Sequence, residues 1–334
     1  MNPKPLDTRG FCFDRALGRA GLLLLSLPLL VGCESGGLFH EPIKYNSEDW
    51  TYKGVQGQKL ISEHYELMTT CRRKPFVSAL PTFMEYCFKE YEKVLPSDGR
   101  TVGKMQAYLF LRRAEWERFT EEFTGPRAPT YKRIRRGGYS ERGITVSFFT
   151  TQAASLSILA HEGLHQYLEV TGRNQIPAWV NEGLACYFEA FELDSQNRPS
   201  FLPKNNTLRR PAMREALAAE SLIPLKEILG THAGEAVHRE SSHVRSYYAQ
   251  EWSLVLFLLD SPATNKYAPG FKTLLEELGS EAMNRKANAY LAADTEGKLS
   301  RGEAIFKAYV TEDLEAFEAD YRAFLYKILD LGPF

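Results

Sequence analysis

The sequence is poor in cysteine, in net charge and in long apolar runs, and each shortage excludes a class of protein. Five cysteines among 334 residues are too few for a small disulfide-stapled scaffold. A net charge of −1 gives no electrostatic basis for binding nucleic acid. The chain also contains no internal repeat and no low-complexity tract, so a solenoid is not expected.

The longest apolar run, "GLLLLSLPLLVG", lies near the N-terminus and is too short to cross a bilayer comfortably. Four basic residues precede it: Lys4, Arg9, Arg15 and Arg19. This layout predicts a secretory signal over residues 1–32. The run ends in "LVGC", which resembles the bacterial lipoprotein signal, and the resemblance implies that Cys33 is lipidated in an exported, membrane-anchored protein. A plain cleaved signal and an uncleaved anchor are the alternatives.

Removal of the signal leaves about 300 residues, enough for one large domain or two closely packed ones. Residues 33–54 contain turn residues and no sustained periodicity, which predicts a flexible tether. Residues 55–330 are expected to form the folded domain. Within it, Cys71 and Cys87 could pair in an oxidising compartment, but their spacing alone leaves the pairing open.

The folded domain is predicted to be α+β, with a mixed strand-and-helix part over residues 55–151 and a mainly helical part over residues 152–330. In the first part, "KLISEHYELMTT", "KMQAYLFL" and "GITVSFFT" have the pattern of strands, whereas "ALPTFMEYCFKEYEKVL" and "RAEWERFTEEF" have helical spacing. The second part opens with two predicted helices, "TQAASLSILAHEGLHQYLEV" and "PAWVNEGLACYFEAFEL". Between the parts, the basic segment "YKRIRRGG" is predicted to be a solvated loop.

The segment "LAHEGLHQYL" places two of the seven histidines, His161 and His165, four positions apart on a predicted helix. Residues at this spacing lie on one face, one turn apart, so both imidazoles can bind one metal ion. Zinc accepts imidazole nitrogen at about 2.0–2.1 Å, and a catalytic zinc site keeps one position for water. Glu162 is close enough to take a proton from that water. A surface helix with three solvated side chains is the alternative.

A third ligand is available on the next predicted helix, where "PAWVNEGLACYFE" supplies the carboxylate of Glu182. Two antiparallel helices joined by a short loop bring their faces together. The two segments resemble the gluzincin metallopeptidases (peptidase MA-like), and "NEGLA" is very similar to the third-ligand helix of zinc aminopeptidases. The order of segments from "SEHYELMTT" through "HEGLHQ" to "YYAQEW" looks most like an uncharacterised bacterial family, domain of unknown function 1570, over most of residues 55–330.

The resemblance implies one zinc ion with three protein ligands and one general base. The ligands are His161, His165 and Glu182, and the base is Glu162. The resemblance also implies a role for Tyr248, because "YAQEWSLVLFLL" is similar to the aminopeptidase helix whose leading tyrosine donates a hydrogen bond to the oxyanion. Core packing is the alternative for Tyr248, and Tyr247 and His243 are rivals for its role.

Two departures from the aminopeptidase pattern matter. The spacer between the histidines and Glu182 is two residues shorter, which a loop deletion accommodates. The sequence lacks a Gly-x-Met-Glu-Asn segment, the element that helps those enzymes hold a free amino terminus, so aminopeptidase activity is not expected. "GGYSERGITVSFFT" stands in the corresponding place and is a candidate edge strand for pairing with an extended peptide.

Four residues near the motif are candidates for accessory roles. Cys186 lies one turn beyond the third ligand and is expected to be a buried thiol rather than a ligand. Glu189 and Gln166 are candidates to orient the metal ligands. Trp179 is expected to pack in the core.

The sequence therefore predicts a membrane-tethered zinc hydrolase, most consistent with a peptidase in which Glu162 activates a zinc-bound water. The expected partners are a peptide or protein substrate and a membrane reached through the lipid anchor, without nucleic acid. A catalytically inactive gluzincin-like binding module is a second hypothesis, against which the open three-ligand set argues. A third is a zinc amidase that acts on a non-peptide substrate, such as a cell-wall component.

Overall fold

Six strands form one mixed sheet in the computed structural model, which describes residues 42–97, 103–135, 137–231, 233–236, 239–259 and 265–331. The strands are β1 Asn46–Tyr52, β2 Val55–Ile61, β3 Tyr65–Thr69, β4 Met105–Phe110, β5 Gly138–Glu141 and β6 Ile144–Phe148. Their order across the sheet is β1-β2-β3-β4-β6-β5. The strands β3, β4 and β6 are parallel, and every other neighbouring pair is antiparallel.

Helices dominate the chain after β6. In chain order the helices are α1 Lys74–Val94, α2 Arg113–Thr124, α3 Ala128–Tyr131, α4 Gln152–Val170, α5 Ala178–Tyr187, α6 Arg209–Ala218, α7 Leu225–Gly230, α8 Ala233–Ala236, α9 Ser241–Leu259, α10 Ala268–Glu276, α11 Glu281–Ala293, α12 Arg301–Tyr309 and α13 Leu314–Ile328. A short hairpin, β7 Phe191–Leu193 and β8 Pro199–Phe201, interrupts them. The predicted α+β class, a sheet followed by a mainly helical part, is confirmed.

The predicted tether is wrong at its C-terminal end. The sequence predicts a tether over residues 33–54, but Asn46–Tyr52 forms β1 and pairs with β2 along its whole length. The ladder of backbone hydrogen bonds fixes this segment, so a tether would have to end before Asn46. The predicted signal over residues 1–32 and the predicted lipidation site, Cys33, lie outside the described residues.

The predicted strand "KLISEHYELMTT" is two strands, β2 and β3, because the backbone turns at residues 62–64. Ser62 N donates to Tyr65 O across this turn at 3.0 Å. The buried carboxylate of Glu85, on α1, accepts hydrogen bonds from both the backbone N and the Nδ1 of His64, at 2.7 and 2.6 Å. The contact between His64 and Glu85 therefore fixes the position of the turn, and sequence periodicity does not reveal such a contact.

The second predicted helix of the helical part, "PAWVNEGLACYFEAFEL", ends at Tyr187 rather than at Leu193. Its last residues form β7, where the Phe191 ring packs 4.9 Å from Phe83 of α1 and 6.0 Å from Phe201 of β8. These aromatic contacts outweigh the helical periodicity of the segment.

Glycines in the two motif helices allow neighbouring helices to approach closely. A Cβ at Gly163, in "HEGLH", would lie 3.0 Å from the hydroxyl of Tyr91 on α1. A Cβ at Gly183, in "NEGLA", would lie 2.6 Å from the backbone O of Glu251 on α9. The helix α4 therefore packs between α1 and the sheet, and α5 packs on α9, with little freedom to shift.

Buried residues form one large core and a smaller aromatic cluster on the other face of the sheet, beneath α2. Trp179 is fully buried between Phe271 and Phe306, as the sequence predicts. The three described cysteines, Cys71, Cys87 and Cys186, are buried free thiols, so Cys71 and Cys87 are not bonded here. Among the described residues, no helix has both the length and the hydrophobicity needed to cross a membrane.

Candidate metal centre

Three side chains from two helices converge on one point. His161 and His165 lie on consecutive turns of α4, and their Nε2 atoms are 3.2 Å apart. Glu182, on α5, places Oε2 3.5 Å from each of these nitrogens. The three predicted ligands are therefore brought together, and all three are largely buried.

The spacing of these atoms fits a tetrahedral zinc ion. When ligand bonds are about 2.0–2.1 Å long, neighbouring ligand atoms of a tetrahedron lie about 3.4 Å apart. The three observed separations, 3.2, 3.5 and 3.5 Å, bracket that value. Two nitrogens and one carboxylate oxygen also form the donor set of a three-ligand catalytic site.

The hydrogen bonds behind the two imidazoles fix which nitrogen faces the centre. His161 Nδ1–H donates to Glu189 Oε1 at 3.0 Å, because a carboxylate can only accept. His165 Nδ1–H donates to Asn181 Oδ1 at 2.9 Å. In the neutral rings both Nε2 atoms are then acceptors, and they face each other across 3.2 Å beside a carboxylate oxygen. Three lone pairs that converge in this way require a shared cation, which is either a proton or a metal ion.

The electrostatics of the buried cluster keep Glu182 ionised. Burial alone would raise the pKa of Glu182, but His165 and His161 outweigh burial and hold that pKa well below its ordinary value. Burial conversely lowers the pKa of His161, yet hydrogen bonds with Cys186, Glu182 and Glu189 leave that pKa well above its ordinary value. Glu182 is thus a carboxylate at neutral pH, the form that binds a metal.

Glu189 holds the first histidine, as the sequence suggests. Its carboxylate also accepts from Arg209 Nε at 2.8 Å, from Arg209 Nη2 at 2.5 Å and from Asn206 Nδ2 at 2.9 Å. Burial would raise the pKa of Glu189, but the guanidinium of Arg209 holds it well below its ordinary value. A buried, ionised and fully bonded Glu189 fixes the ring of His161 in one orientation.

Gln166, the other predicted orienting residue, does not touch either histidine. Its Nε2 donates to Gln106 O at 2.8 Å and to Gly143 O at 2.6 Å. It therefore fastens α4 to β4 and to the turn after β5. The orienting partner of His165 is Asn181 instead, and the sequence signal for it was adjacency to Glu182 in "NEGLA".

Arg209 and Asn206 are contributors that sequence analysis missed. Asn206 Oδ1 accepts from the backbone N of Arg209 at 3.0 Å and so shapes the start of α6. The guanidinium carbon of Arg209 lies 5.0 Å from the centre of the Tyr248 ring. One arginine thus contacts both the residue that holds His161 and the predicted oxyanion donor.

Cys186 lies beside the centre, but the ligand set that contains it is poorer than the set His161, His165 and Glu182. Its Sγ is 4.0 Å from His161 Nδ1, and the set His161, Cys186 and Glu189 is close enough to surround an ion. Burial, however, raises the pKa of Cys186 to about 11, so the thiol is protonated at neutral pH. Glu189 is already engaged by Arg209 and Asn206. The Nε2 side of His161 is therefore the better candidate for binding a metal ion.

Glu162 and Tyr248 lie on the borders of the centre. Glu162 is 9% exposed, and a Cβ at Gly138 of β5 would lie 3.2 Å from its Cγ. The Tyr248 ring is 6.4 Å from the His161 ring. The rival Tyr247 turns its hydroxyl away, toward Thr231 O at 3.4 Å. Burial raises the pKa of both Glu162 and Tyr248, and the charge of Glu182 contributes to raising both, so the two predicted catalytic side chains border the cluster of candidate ligands.

Asn181 provides a test of the hydrogen bonds around the ligands. Replacement by alanine removes the acceptor that fixes the tautomer and ring orientation of His165. We expect Asn181→Ala to weaken zinc binding by about 10–100-fold, as measured by competition with a chromophoric chelator. Asn205→Ala, at an exposed asparagine between β8 and α6, is the matched control. Equal zinc affinity of Asn181→Ala and the unaltered protein would show that Asn181 does not support the ligand.

The class that fold and site define is an α+β protein with a candidate zinc centre on two packed helices. Residues 155–269 match the model of a family described as "Protein of unknown function (DUF1570)". The match supports the resemblance predicted from the motifs over that stretch, which is shorter than the expected residues 55–330 but contains the three candidate ligands, Glu162 and Tyr248. No curated protein and no solved structure matches the chain.

Proposed function

We propose that this protein is a zinc-dependent hydrolase and, more specifically, a peptidase of gluzincin type. One observation carries the proposal: the Nε2 atoms of His161 and His165 and the Oε2 of Glu182 converge at tetrahedral spacing. Burial raises the pKa of Glu162 overall, and Glu162 lies close enough to both histidines for their charges to lower that pKa in part. Three protein ligands leave a position for water, which is the arrangement of catalytic rather than structural zinc.

Zinc bound at this centre would lower the pKa of a water molecule and polarise the carbonyl of the substrate. Glu162 would accept a proton from the attacking water and return it to the leaving amine. Burial raises the pKa of Glu162, which makes its carboxylate a stronger base than an exposed one. Tyr248 would donate a hydrogen bond to the oxyanion.

The free edge of strand β5 favours a peptide as the proposed substrate. The strand pairs with β6 on one side, and its other edge pairs with no strand that the structure describes. The strand passes Glu162 at Gly138, so an extended peptide added to this edge would lie beside the proposed base. A non-peptide amide would use the same chemistry but would gain nothing from a free strand edge.

The inactive-module hypothesis is weaker than the enzyme hypothesis. An inactive relative has no need of a buried carboxylate that interacts electrostatically with the proposed ligands, and Glu162 is such a carboxylate. A structural zinc site would also close with a fourth protein ligand. Cys186 and Glu189 also approach His161, but both lie on its Nδ1 side.

Replacing Tyr248 tests whether its hydroxyl stabilises the oxyanion. We expect Tyr248→Phe to lower kcat by about 100-fold with little change in KM, because the hydroxyl stabilises charge that develops only in the transition state. Steady-state kinetics on a cleaved peptide measure this effect. Tyr247→Phe, whose hydroxyl faces Thr231, is the control and should keep kcat within about threefold. A fully active Tyr248→Phe would assign the oxyanion role to another group.

The proposed activity is tested by incubating the purified protein with a peptide library and, separately, with cell-wall fragments. Mass spectrometry identifies products, and 1,10-phenanthroline followed by added zinc tests metal dependence. Peptide cleavage that the chelator stops and zinc restores is the expected result. Cleavage of cell-wall fragments alone would favour the zinc amidase, and no cleavage by a zinc-loaded protein would favour the inactive module.

Export and lipid anchoring remain part of the proposal and rest on the N-terminal sequence pattern. Metabolic labelling with a fatty acid tests them, with Cys33→Ser as the comparison. Label on the parent and none on the variant is expected. Label on neither would reduce the proposal to a hydrolase without a lipid anchor.

A further inference from the structure

A basic loop, residues 132–135, precedes β5 in the chain, and hydrogen bonds hold its backbone. The guanidinium of Arg113, on α2, donates to Lys132 O at 2.8 Å and to Ile134 O at 2.6 Å. Ile134 N also donates to Tyr131 O at 2.9 Å. Because its carbonyl groups are held from the protein side, the loop has a defined position at the start of the edge strand.

The side chains of the basic loop give it an exposed positive charge. Lys132 is paired with Glu121 at 2.5 Å and contributes little net charge. Arg133 and Arg135 are both exposed. Arg135 forms no ion pair with any residue that the structure describes. This surface attracts an anionic group, and Arg135 breaks no ion pair with a described residue when it binds that group.

The basic loop precedes β5 at the end of the strand that lies beside Glu162, because Gly138 is the first residue of β5. The strand runs alongside α4 in the same direction, because Gly138 is next to Glu162 and Gly143, in the following turn, is next to Val170. Arg135 precedes Gly138 by three residues, at most about 10 Å of chain. Arg113, which holds the loop, lies 5.3 Å from the ring of Phe148, one residue beyond the Gly138–Ser147 pair at this end of the sheet. An extended chain that lies along β5 and continues past Glu162 therefore runs toward the basic loop.

We infer that the basic loop selects substrates that carry acidic side chains on the C-terminal side of the scissile bond. This inference rests on the proposed peptidase function. Antiparallel pairing is the more stable way to extend the free edge of β5. A substrate paired in that direction places its N-terminal residues along β5 and its leaving segment against Arg133 and Arg135. Charge complementarity then favours glutamate or aspartate in the leaving segment.

Three labelled ten-residue peptides with the same alanine–leucine centre test the inference. One carries two glutamates on the C-terminal side, one carries two glutamines there, and one carries two glutamates on the N-terminal side. Binding is measured by fluorescence anisotropy to the Glu162→Gln protein, and kcat/KM is measured with the unaltered protein. Binding to Glu162→Gln gives a result whether or not the peptides are cleaved.

We expect the C-terminal glutamate peptide to bind about fivefold more tightly than the other two, the size of effect given by partly exposed ion pairs. Arg135→Glu should remove this preference, and Arg285→Glu, an equally exposed charge reversal on α11, should keep it. Raising salt from about 50 to 300 mM should reduce the preference.

Equal or undetectable binding of the three peptides overturns the inference. A preference that Arg135→Glu leaves unchanged also overturns it, as does tighter binding of the N-terminal glutamate peptide. These results leave the proposed hydrolase in place if zinc-dependent cleavage is observed. Failure of the proposed function has a different signature, because none of the peptides is then cleaved, whether or not zinc is bound.

Discussion

Replacing Glu162 with glutamine is expected to lower kcat by about 10²–10⁴-fold while the zinc content stays unchanged. Glutamine has nearly the shape of glutamate, so the side chain can still pack beside Gly138 of β5. Its amide cannot accept a proton from the attacking water or return one to the leaving amine. The carboxylate of Glu162 is not part of the converging ligand set, so the metal should remain.

The measurement is kcat on a cleaved peptide together with zinc content by mass spectrometry for the same sample. Glu169→Gln, an exposed glutamate two turns further along α4, is the matched control and should leave both values unchanged. If Glu162→Gln retained full activity with bound zinc, Glu162 would not be the base.

Replacing Glu182 with alanine is expected to remove zinc from the purified protein. Glu182 supplies the one anionic ligand, and its Oε2 lies 3.5 Å from both histidine nitrogens. The loss in affinity should exceed the 10–100-fold expected from Asn181→Ala, because a ligand is removed and not merely its support. Activity should fall with zinc content.

Zinc content after dialysis against a weak chelator measures this effect. Glu192→Ala, an exposed residue of β7, is the control that should keep zinc. Circular dichroism confirms that Glu182→Ala is folded, so that loss of zinc is not loss of structure. Stoichiometric zinc in a folded Glu182→Ala would move the site to the other face of His161, with Cys186 and Glu189 as ligands.

The ligands could be predicted from sequence because their geometry is local. His161 and His165 are one helical turn apart, and Glu182 follows on the next helix after a short loop. The hydrogen bonds of Glu189 to Asn206 and Arg209 were not predictable in this way. These hydrogen bonds join Glu189, which precedes the β7–β8 hairpin, to residues that follow it, and no periodic pattern in the sequence relates the two sides.

The fold class was predictable for a similar reason, and two strand boundaries were not. Apolar alternation marks β4 and β6, which lie inside the sheet. The outer strand β1 is mostly exposed, so its sequence lacks the alternation that a half-buried strand shows. The turn between β2 and β3 depends on His64 meeting Glu85 of α1, a contact fixed only by the tertiary structure.

The central claim is that one zinc ion binds His161, His165 and Glu182 with a position left for water. X-ray absorption spectroscopy of the zinc-loaded protein tests it most directly. We expect the zinc ion to have only nitrogen and oxygen neighbours, at about 2.0–2.1 Å, with the scattering of two imidazole rings and no sulfur neighbour. A sulfur scatterer at about 2.3 Å would contradict the claim by placing Cys186 on the metal, and failure of a folded protein to bind zinc would contradict it outright.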